Sequence, residues 1–147
     1  MICLEDFLLS LPRPITVIGG SSLCEEQFPK AISINGFHPE CSIAAINSSQ
    51  SDWQRVKNFS TVIAPWPKRR MDKRVLVPST SYARPIGLKK QPTTYFVLML
   101  ICQKIEIPVE LYGVCGWATQ HHHGDWEMQY MKHEMSLINV HDPRPRW

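Results

Sequence analysis

The sequence has no paired cysteines. Its five cysteines are scattered along 147 residues, odd in number and never spaced as C-x-x-C. This pattern is typical neither of a disulfide framework, which uses even numbers of cysteines, nor of a zinc ribbon, which needs closely spaced pairs. Cys102 lies inside an apolar run and is expected to pack as a small hydrophobic residue. The cysteine usage therefore favours a reducing, cytoplasmic compartment.

Long hydrophobic segments are also missing. The longest apolar run, Tyr95–Cys102, has eight residues, whereas a membrane-spanning helix needs about 20. Near the amino terminus Glu5 and Asp6 interrupt the apolar stretch, and no basic segment precedes it. This start is not typical of a signal peptide. We therefore expect no membrane span and a cytoplasmic location.

Internal repeats, low-complexity tracts and a strong excess of one charge are absent from the sequence. A net charge of +3 is too mild to predict binding to nucleic acid. One basic segment, KRRMDKR at 68–74, stands out against this background. We interpret it as a solvated surface, with contact to phosphate groups as the alternative.

The composition does supply enough apolar side chains for a core, since 44% of the residues are hydrophobic and 20% are charged. A chain of this length corresponds to about one domain. We therefore expect residues 1–147 to form one domain. The oligomeric state cannot be read from the sequence.

The hydrophobic pattern predicts helices that alternate with short strands. Helices are predicted at 2–11, 48–59, 91–107 and 124–135, and Pro12 and Pro14 stop the first of them. Strands are predicted at ITVI (15–18), AISIN (31–35), SIAAIN (42–47), STVIAP (60–65), RVLVP (74–78), VELYGV (109–114) and MSLINV (135–140). This order favours an α/β fold, a Rossmann-like three-layer sandwich with a mostly parallel central sheet.

The first predicted strand runs into a loop of small residues, VIGGSSL at 17–23. In open parallel sheets, ligands bind beyond the carboxyl ends of the strands. Glycines permit a tight turn and a close approach of the backbone, and serine hydroxyls can donate hydrogen bonds, so the loop suits a phosphate or a ribose. It matches neither G-x-G-x-x-G nor a Walker A loop, and an ordinary turn is the alternative. The candidate binding residues here are Gly19, Gly20, Ser21 and Ser22.

The second predicted strand ends in Asn35. Its side-chain amide could contact a nucleobase or a sugar. Because Asn35 precedes Gly36, a turn-forming role is the alternative interpretation.

A cluster of histidines and acids, HHHGDWE at 121–127, follows the strand VELYGV. An imidazole can act as a general acid or base, or bind a metal, and Asp125 or Glu127 could orient it. Three adjacent histidines point in different directions, so at most two of His121, His122 and His123 can converge on one ion. We therefore favour a catalytic or ligand-binding role over a metal site. A solvent-exposed turn is the third interpretation.

In this order the features resemble the sialyltransferase-type glycosyltransferases, including their bacterial and viral relatives. The resemblance is carried by VIGGSSL, the strand ending ISIN, the helix QPTTYFVLMLICQKI, the strand VELYGV and the cluster HHHGDWE. It implies a nucleotide-sugar-binding domain that transfers a sugar from a CMP-sugar donor to an acceptor glycan. Apart from the CMP-sugar, which is a substrate, it implies no cofactor.

The resemblance also implies roles for individual residues. Those implied to hold the donor nucleotide are Gly20, Ser21, Ser22, Asn35, Thr93 and Thr94. The two threonines would open a helix whose amino terminus favours phosphate. His122 or His123, with Glu127, would assist the departure of CMP or act as the base. The alternatives are a nucleotide-binding domain without catalysis and a metal-dependent hydrolase that uses the His121–Glu127 cluster.

Overall fold

The computed structural model of the protein describes residues 3–21, 27–47, 50–66, 74–82, 91–116 and 122–142. Its helices are α1 (Leu4–Ser10), α2 (Gln50–Arg55), α3 (Thr94–Lys104) and α4 (Gly124–Glu134). Its strands are β1 (Ile15–Ile18), β2 (Ile32–Ile34), β3 (Ile43–Ala45), β4 (Thr61–Ile63), β5 (Val75–Leu76), β6 (Val109–Tyr112) and β7 (Ile138–Val140). The predicted order of helices and strands is confirmed.

The seven strands form one sheet in the order β5-β4-β3-β2-β1-β6-β7. Every neighbouring pair is parallel. The chain builds the sheet outward from β1 to β5 and then returns to add β6 and β7 on the other side of β1. The expected Rossmann-like α/β fold is thus confirmed, and its topological switch point lies between β1 and β6.

Helices cover both faces of the sheet. On one face, strand residues such as Val17 and Leu111 pack against α1, α3 and α4 in a cluster that includes Leu4, Phe96 and Met128. On the other face, α2 and the residues after it cover β3 and β4. This second cluster includes Ala44, Val56, Phe59 and Val62. Strands buried on both faces are short continuous apolar runs, which is the pattern from which they were predicted.

Helix α3 is shorter than the predicted helix at 91–107, for local reasons at both ends. Thr93 is its N-cap and accepts a hydrogen bond on its hydroxyl from Phe96 N, a preferred role for threonine. At the other end Glu106 has φ 63°, a left-handed conformation that does not continue a helix. Cys102 in this helix is fully buried, as predicted, and burial raises the pKa of its thiol to about 12.

Within the basic segment 68–74, the described residue Arg74 is not a freely solvated side chain. It is half-buried, and its Nη1 donates to the carbonyl oxygens of Lys57 and Phe59, each at 3.0 Å. These carbonyls follow α2, so Arg74 ties β5 to the end of that helix. At this position the interpretation as solvated surface is wrong. Residues 68–73 lie outside the described residues.

No helix in the described ranges is both long enough and apolar enough to cross a membrane.

Candidate functional site

Three loops meet at the carboxyl edge of the sheet around the switch point. We call them the β1 loop (residues 19–21), the β2 loop (35–40) and the β6 loop (113–116). In a fold of this kind, the crevice beyond the strand ends at the switch point is where ligands bind. The predicted binding residues Gly19, Gly20, Ser21 and Asn35 all lie in these loops, whereas Ser22 is outside the described residues.

The β1 and β6 loops touch backbone to backbone. A Cβ on Gly19 would lie 2.5 Å from Gly113 O, and a Cβ on Gly113 would lie 2.7 Å from Gly19 O. Gly19 N–H donates to Tyr112 O at 2.8 Å, and Ser21 N–H donates to Gly113 O at 2.9 Å. Only glycine fits at both positions, because real Cβ atoms do not approach other backbone atoms so closely.

Gly20 is required for a different contact. A Cβ there would lie 2.6 Å from Cδ2 of Phe37, whose ring leans on the β1 loop from the β2 loop. Neither Gly19 nor Gly20 has a positive φ. Close packing of the loops rather than a left-handed turn therefore explains the glycine pair, and the expected approach of this backbone to a phosphate or ribose stays a prediction.

Ser21 joins the same pair of loops through its side chain. Its Oγ lies 3.1 Å from the Sγ of Cys115 in the β6 loop. This contact continues the pairing of the two loops beyond Gly113, so the edge of the crevice on this side is formed by Ser21 and Cys115.

Asn35 begins the β2 loop in a left-handed conformation. It has φ 58° and Gly36 has φ 72°, so the turn-forming interpretation of this pair is confirmed. The side-chain Oδ1 of Asn35 is nevertheless buried, and none of the described residues donates a hydrogen bond to it. A buried acceptor without a partner is costly, which leaves a ligand-binding role as an explanation for this atom.

The Asn35 backbone is fixed by Arg55 at the end of α2. Arg55 Nε donates to Asn35 O at 2.8 Å, and its guanidinium lies 4.3 Å from the centre of the Phe37 ring. The cation–π contact holds Phe37 between Arg55 and Gly20. The β2 loop is thus held from both sides, although 51% of the Phe37 surface is exposed.

His38 is a site residue that the sequence pattern did not identify. Its Nε2 lies 2.9 Å from Gly19 O and its Nδ1 lies 3.3 Å from a carboxylate oxygen of Glu40. The sequence around His38 does not identify a hydrogen-bond partner for its side chain. The available signal was topological: the loops after β1 and β2 must be neighbours if those strands pair in parallel.

The amino termini of α3 and α4 point toward the same edge of the sheet. Each helix returns the chain from the carboxyl edge to the amino end of a parallel strand, so each begins at the carboxyl edge. A helix amino terminus carries a partial positive charge that favours anions. The predicted residues Thr93, Thr94, His122, His123, Asp125 and Glu127 all lie at these two starts.

Glu127 and Thr93 were predicted to have different roles and are in direct contact. Glu127 is completely buried. One of its carboxylate oxygens accepts from Thr93 N at 2.8 Å and the other accepts from Thr93 Oγ1 at 2.9 Å. The carboxylate therefore caps α3 from α4, in the place where an anion is favoured. Thr94, the next residue, is only 6% exposed.

The environment of Glu127 increases its affinity for a proton. Burial raises the pKa of this carboxyl, while the hydrogen bonds from Thr93 and the positive charge of His122 lower it, and burial has the larger effect. Of the described histidines at 122 and 123, His122 is the one whose charge lowers the pKa of Glu127.

His122 has a defined tautomer. Its Nδ1 lies 2.6 Å from Gln91 O, and because a carbonyl oxygen only accepts, Nδ1 carries the hydrogen. In the neutral ring Nε2 then holds the lone pair and can accept a proton.

The remaining members of the histidine–acid cluster do not converge on His122 in the same way. His123 is the N-cap residue of α4 without a side-chain capping bond, and its carbonyl accepts from Glu127 N at 2.9 Å. Asp125 is exposed in the first turn of α4, and His121 lies outside the described residues. Across the described parts of the chain, no three His, Cys, Asp or Glu residues form a group that could hold a metal ion.

Gly116 connects the β6 loop to the start of α4. A Cβ at this position would lie 2.6 Å from Met128 Cβ and 2.9 Å from Gly124 O. The contacts therefore run without interruption along the carboxyl edge, from His38 through the β1 and β6 loops to α4 and α3.

A groove of about 620 Å³ lies at the opposite, amino-terminal edge of the sheet. It is lined by Arg13, Gln103, Lys104, Glu106, Pro108, Ser136 and Leu137. None of the predicted site residues lines it. The predicted site residues and this groove therefore lie at opposite edges of the sheet. The position of the switch point favours ligand binding at the carboxyl edge.

Comparisons of the chain with protein-family models, with curated proteins and with solved structures found no match.

Proposed function

We propose that the protein binds a nucleotide at the β1–β6 switch point and transfers a sugar from a CMP-sugar donor to an acceptor glycan. The observation that carries the proposal is the glycine contact between Gly19 and Gly113. It brings the backbones of the β1 and β6 loops into direct contact at the switch point, where parallel α/β sheets bind ligands.

The groups around this contact suit the polar parts of a nucleotide. Gly20 is exposed, and backbone N–H groups in such loops bind phosphate oxygens. Asn35 Oδ1 is a buried acceptor without a donor among the described residues. A hydroxyl of the ribose or the amino group of cytosine would satisfy it once the β2 loop opens, because this atom has no surface open to solvent as the loop stands.

His122 is the residue that we assign to the chemical step. The hydroxyl of the acceptor forms a bond to the anomeric carbon of the donor sugar, and the bond from that carbon to the phosphate oxygen breaks. Its electron pair leaves with CMP, and the proton of the hydroxyl passes to Nε2 of His122. The hydrogen bond of Nδ1 to Gln91 O keeps the lone pair on Nε2.

Glu127 and Thr93 support this histidine instead of binding the donor directly. Both polar groups of Thr93 are used by the Glu127 carboxylate, so they hold the starts of α3 and α4 together. This contact places Gln91, two residues before Thr93, against His122. His123 and Asp125, at the start of α4, are candidates for contacts to the acceptor.

Binding is tested by thermal unfolding in the presence of CMP. A ligand at 100 times its dissociation constant stabilises a protein by about 3 kcal/mol, which raises the melting temperature of a chain of this size by several degrees. AMP at the same concentration is the control for a general phosphate effect. If no cytidine nucleotide shifts the transition, the proposed function is wrong.

Catalysis is tested with His122→Asn. The asparagine amide can still donate to Gln91 O but has no group to replace Nε2 as a base. We expect donor hydrolysis and sugar transfer to fall by about 100-fold or more, with CMP binding changed only slightly. His133→Ala is the matched control, because His133 is exposed in α4, the helix that follows His122, and bonds only to Gln129 among the described residues.

The alternative is a nucleotide-binding domain without catalysis. It is favoured by the pairing of Glu127 with Thr93, which satisfies both groups in the absence of any substrate. It predicts the same CMP stabilisation but no donor turnover, so turnover that depends on His122 rejects it. The metal-dependent hydrolase has no comparable support among the described residues.

A further inference from the structure

The side chain of His38 joins the β2 loop to the β1 loop. Its Nε2 donates to Gly19 O at 2.9 Å, and its Nδ1 faces Glu40 Oε1 at 3.3 Å. Because a carbonyl oxygen only accepts, Nε2 carries a hydrogen in this contact. The Glu40 carboxylate lies beside the ring on the side of Nδ1.

The backbone of His38 is fixed as firmly as its ring. His38 N–H donates to Oγ of Ser33, a fully buried residue of β2, and Cys41 N–H donates to His38 O at 3.1 Å. The side chain itself is 17% exposed. The position of Nε2 relative to the sheet is therefore set by contacts on both sides of the residue.

This arrangement decides which way the Gly19–Gly20 peptide faces. The peptide is trans, so its C=O and N–H point in opposite directions. Because His38 holds Gly19 O on the side of the β2 loop, Gly20 N–H points away from His38. Gly20 is exposed, and none of the described residues accepts a hydrogen bond from its N–H. Ser21 N–H, by contrast, is already bonded to Gly113 O.

We propose that His38, oriented by Glu40, is a positioning residue that aims Gly20 N–H at the phosphate of the bound nucleotide. The inference rests on the proposed nucleotide site and adds a residue to it. A preorganised N–H donor binds an anion more tightly than one that must be reoriented when the ligand arrives. Without His38, the Gly19 carbonyl loses its partner and the peptide is no longer held in one orientation.

The variants His38→Ala and His38→Gln test this role through CMP affinity. The alanine variant removes the hydrogen bond to Gly19 O, and we expect it to weaken CMP binding about tenfold. The side-chain amide of glutamine can donate to the same carbonyl and is expected to restore binding to within about threefold of wild type. His133→Ala is the control and is expected to change nothing. A purely structural role would not be rescued selectively by a hydrogen-bond donor.

Two affinity results overturn the proposal. One is unchanged CMP binding in His38→Ala, and the other is a His38→Gln variant that binds as weakly as His38→Ala. Both variants are checked for folding by circular dichroism before their affinities are compared.

The amide of Gly20 gives a readout that does not depend on any variant. In ¹⁵N-labelled wild-type protein, CMP and inorganic phosphate are each expected to shift the Gly20 N–H resonance. If CMP does not bind but phosphate shifts this resonance, the proposed function is wrong and the orientation of Gly20 stands. If CMP binds and the Gly20 resonance does not move, the positioning role is wrong and the proposed function stands. If neither ligand moves it, both are rejected. This measurement tests the direction of the Gly20 N–H group even if neither His38 variant folds.

Discussion

Two buried carboxylates, Glu5 in α1 and Glu127 in α4, each accept hydrogen bonds from the backbone N–H and the hydroxyl of one residue. For Glu5 that residue is Ser79, which follows β5, and Tyr82 OH is a further donor at 2.8 Å. For Glu127 it is Thr93, with no other donor among the described residues. Glu5 is 8% exposed and Glu127 is 0% exposed.

The pKa values of the two groups move in opposite directions. Burial raises the pKa of Glu5, but the hydrogen bonds from Ser79 and Tyr82 outweigh it and lower the value to about 2. At Glu127 burial outweighs the bonds from Thr93 and the charge of His122, and the pKa is raised. The same Ser/Thr contact therefore favours an ionised carboxylate only when burial is less complete and another donor is present.

The two regions also differ in what they join. Glu5 holds α1 to the segment after β5, where Leu4 N–H also donates to Val77 O at 3.0 Å. Glu127 holds α3 to α4 beside His122, in the candidate site. The carboxyl group with the increased proton affinity is thus the one next to the proposed catalytic residue, which agrees with the tendency of perturbed pKa values to cluster at functional sites.

Replacing Glu127 by alanine should have the largest effect on stability. Glu127→Ala leaves both donors of Thr93 without an acceptor and opens a cavity, so we expect the free energy of unfolding to fall by about 2–4 kcal/mol. Glu127→Gln preserves the size and an acceptor, and burial already disfavours the charged form of this carboxyl, so a loss of about 1 kcal/mol or less is expected. Urea denaturation measures both values. Equal losses for alanine and glutamine would contradict this account.

Replacing Glu5 by glutamine should cost more than the same change at Glu127. The carboxylate of Glu5 accepts charge-assisted bonds on both oxygens, and an amide NH₂ would face the donors of Ser79. We expect Glu5→Gln to lower the free energy of unfolding by about 1–3 kcal/mol. If Glu127→Gln is the more costly of the two, the comparison between the regions is wrong.

The pH dependence of stability follows from the lowered pKa of Glu5. Below its ordinary value of 4.5 the unfolded state binds a proton more readily than the native state, whose value is about 2. The contribution of Glu5 is therefore fully present above about 4.5 and is lost as the pH falls through about 2. Glu127 has the opposite sign: its raised pKa means that the native state binds the proton more readily, so its contribution is present below about 4.5 and is lost as the pH rises through the native value. Urea denaturation at several pH values in this range measures the free energy of unfolding, which should change less with pH in Glu5→Gln than in wild type.

Tyr82→Phe should have the smallest effect, because Glu5 keeps both donors of Ser79. The loss of one hydrogen bond is expected to lower the free energy of unfolding by about 1 kcal/mol and to raise the pKa of Glu5 toward its ordinary value. Tyr130→Phe is the matched control: Tyr130 packs edge-on against Phe96, and its hydroxyl has no partner among the described residues. An equal loss for Tyr130→Phe would show that removing a hydroxyl is costly even without a bond to Glu5, and would contradict this account.

The fold was largely predictable because each element has a strong local signal. The strand at 15–18 is a largely apolar segment between Pro14 and Gly19, and the strand at 109–112 alternates buried and half-buried residues between Pro108 and Gly113. Helix α3 is an apolar helix opened by Pro92 and Thr93. Helix ends were less predictable. The end of α3 at Lys104 depends on the left-handed conformation of Glu106, for which the apolar pattern carries no signal.

The candidate site was predictable in its residues but not in its contacts. Gly19, Asn35 and Glu127 were singled out because their residue types follow strands or begin a helix, and Thr93 because the family resemblance implied it. Their partners come from distant parts of the chain: Gly19 contacts Gly113 and His38, and Glu127 contacts Thr93. Contacts between residues so far apart cannot be recognised from the local sequence pattern, and His38 was missed for that reason.

The sequence by itself determined the order of helices and strands and the kinds of polar groups at the carboxyl edge, because periodicity and turn residues act locally. Only the tertiary structure decided that β6 returns beside β1, and that return creates the switch point and brings Gly113 onto Gly19. It also decided that Glu127 is buried against Thr93 while Glu5 is held by three donor groups. Burial and hydrogen bonding are properties of the packed chain, and so their balance sets the two pKa values in opposite directions.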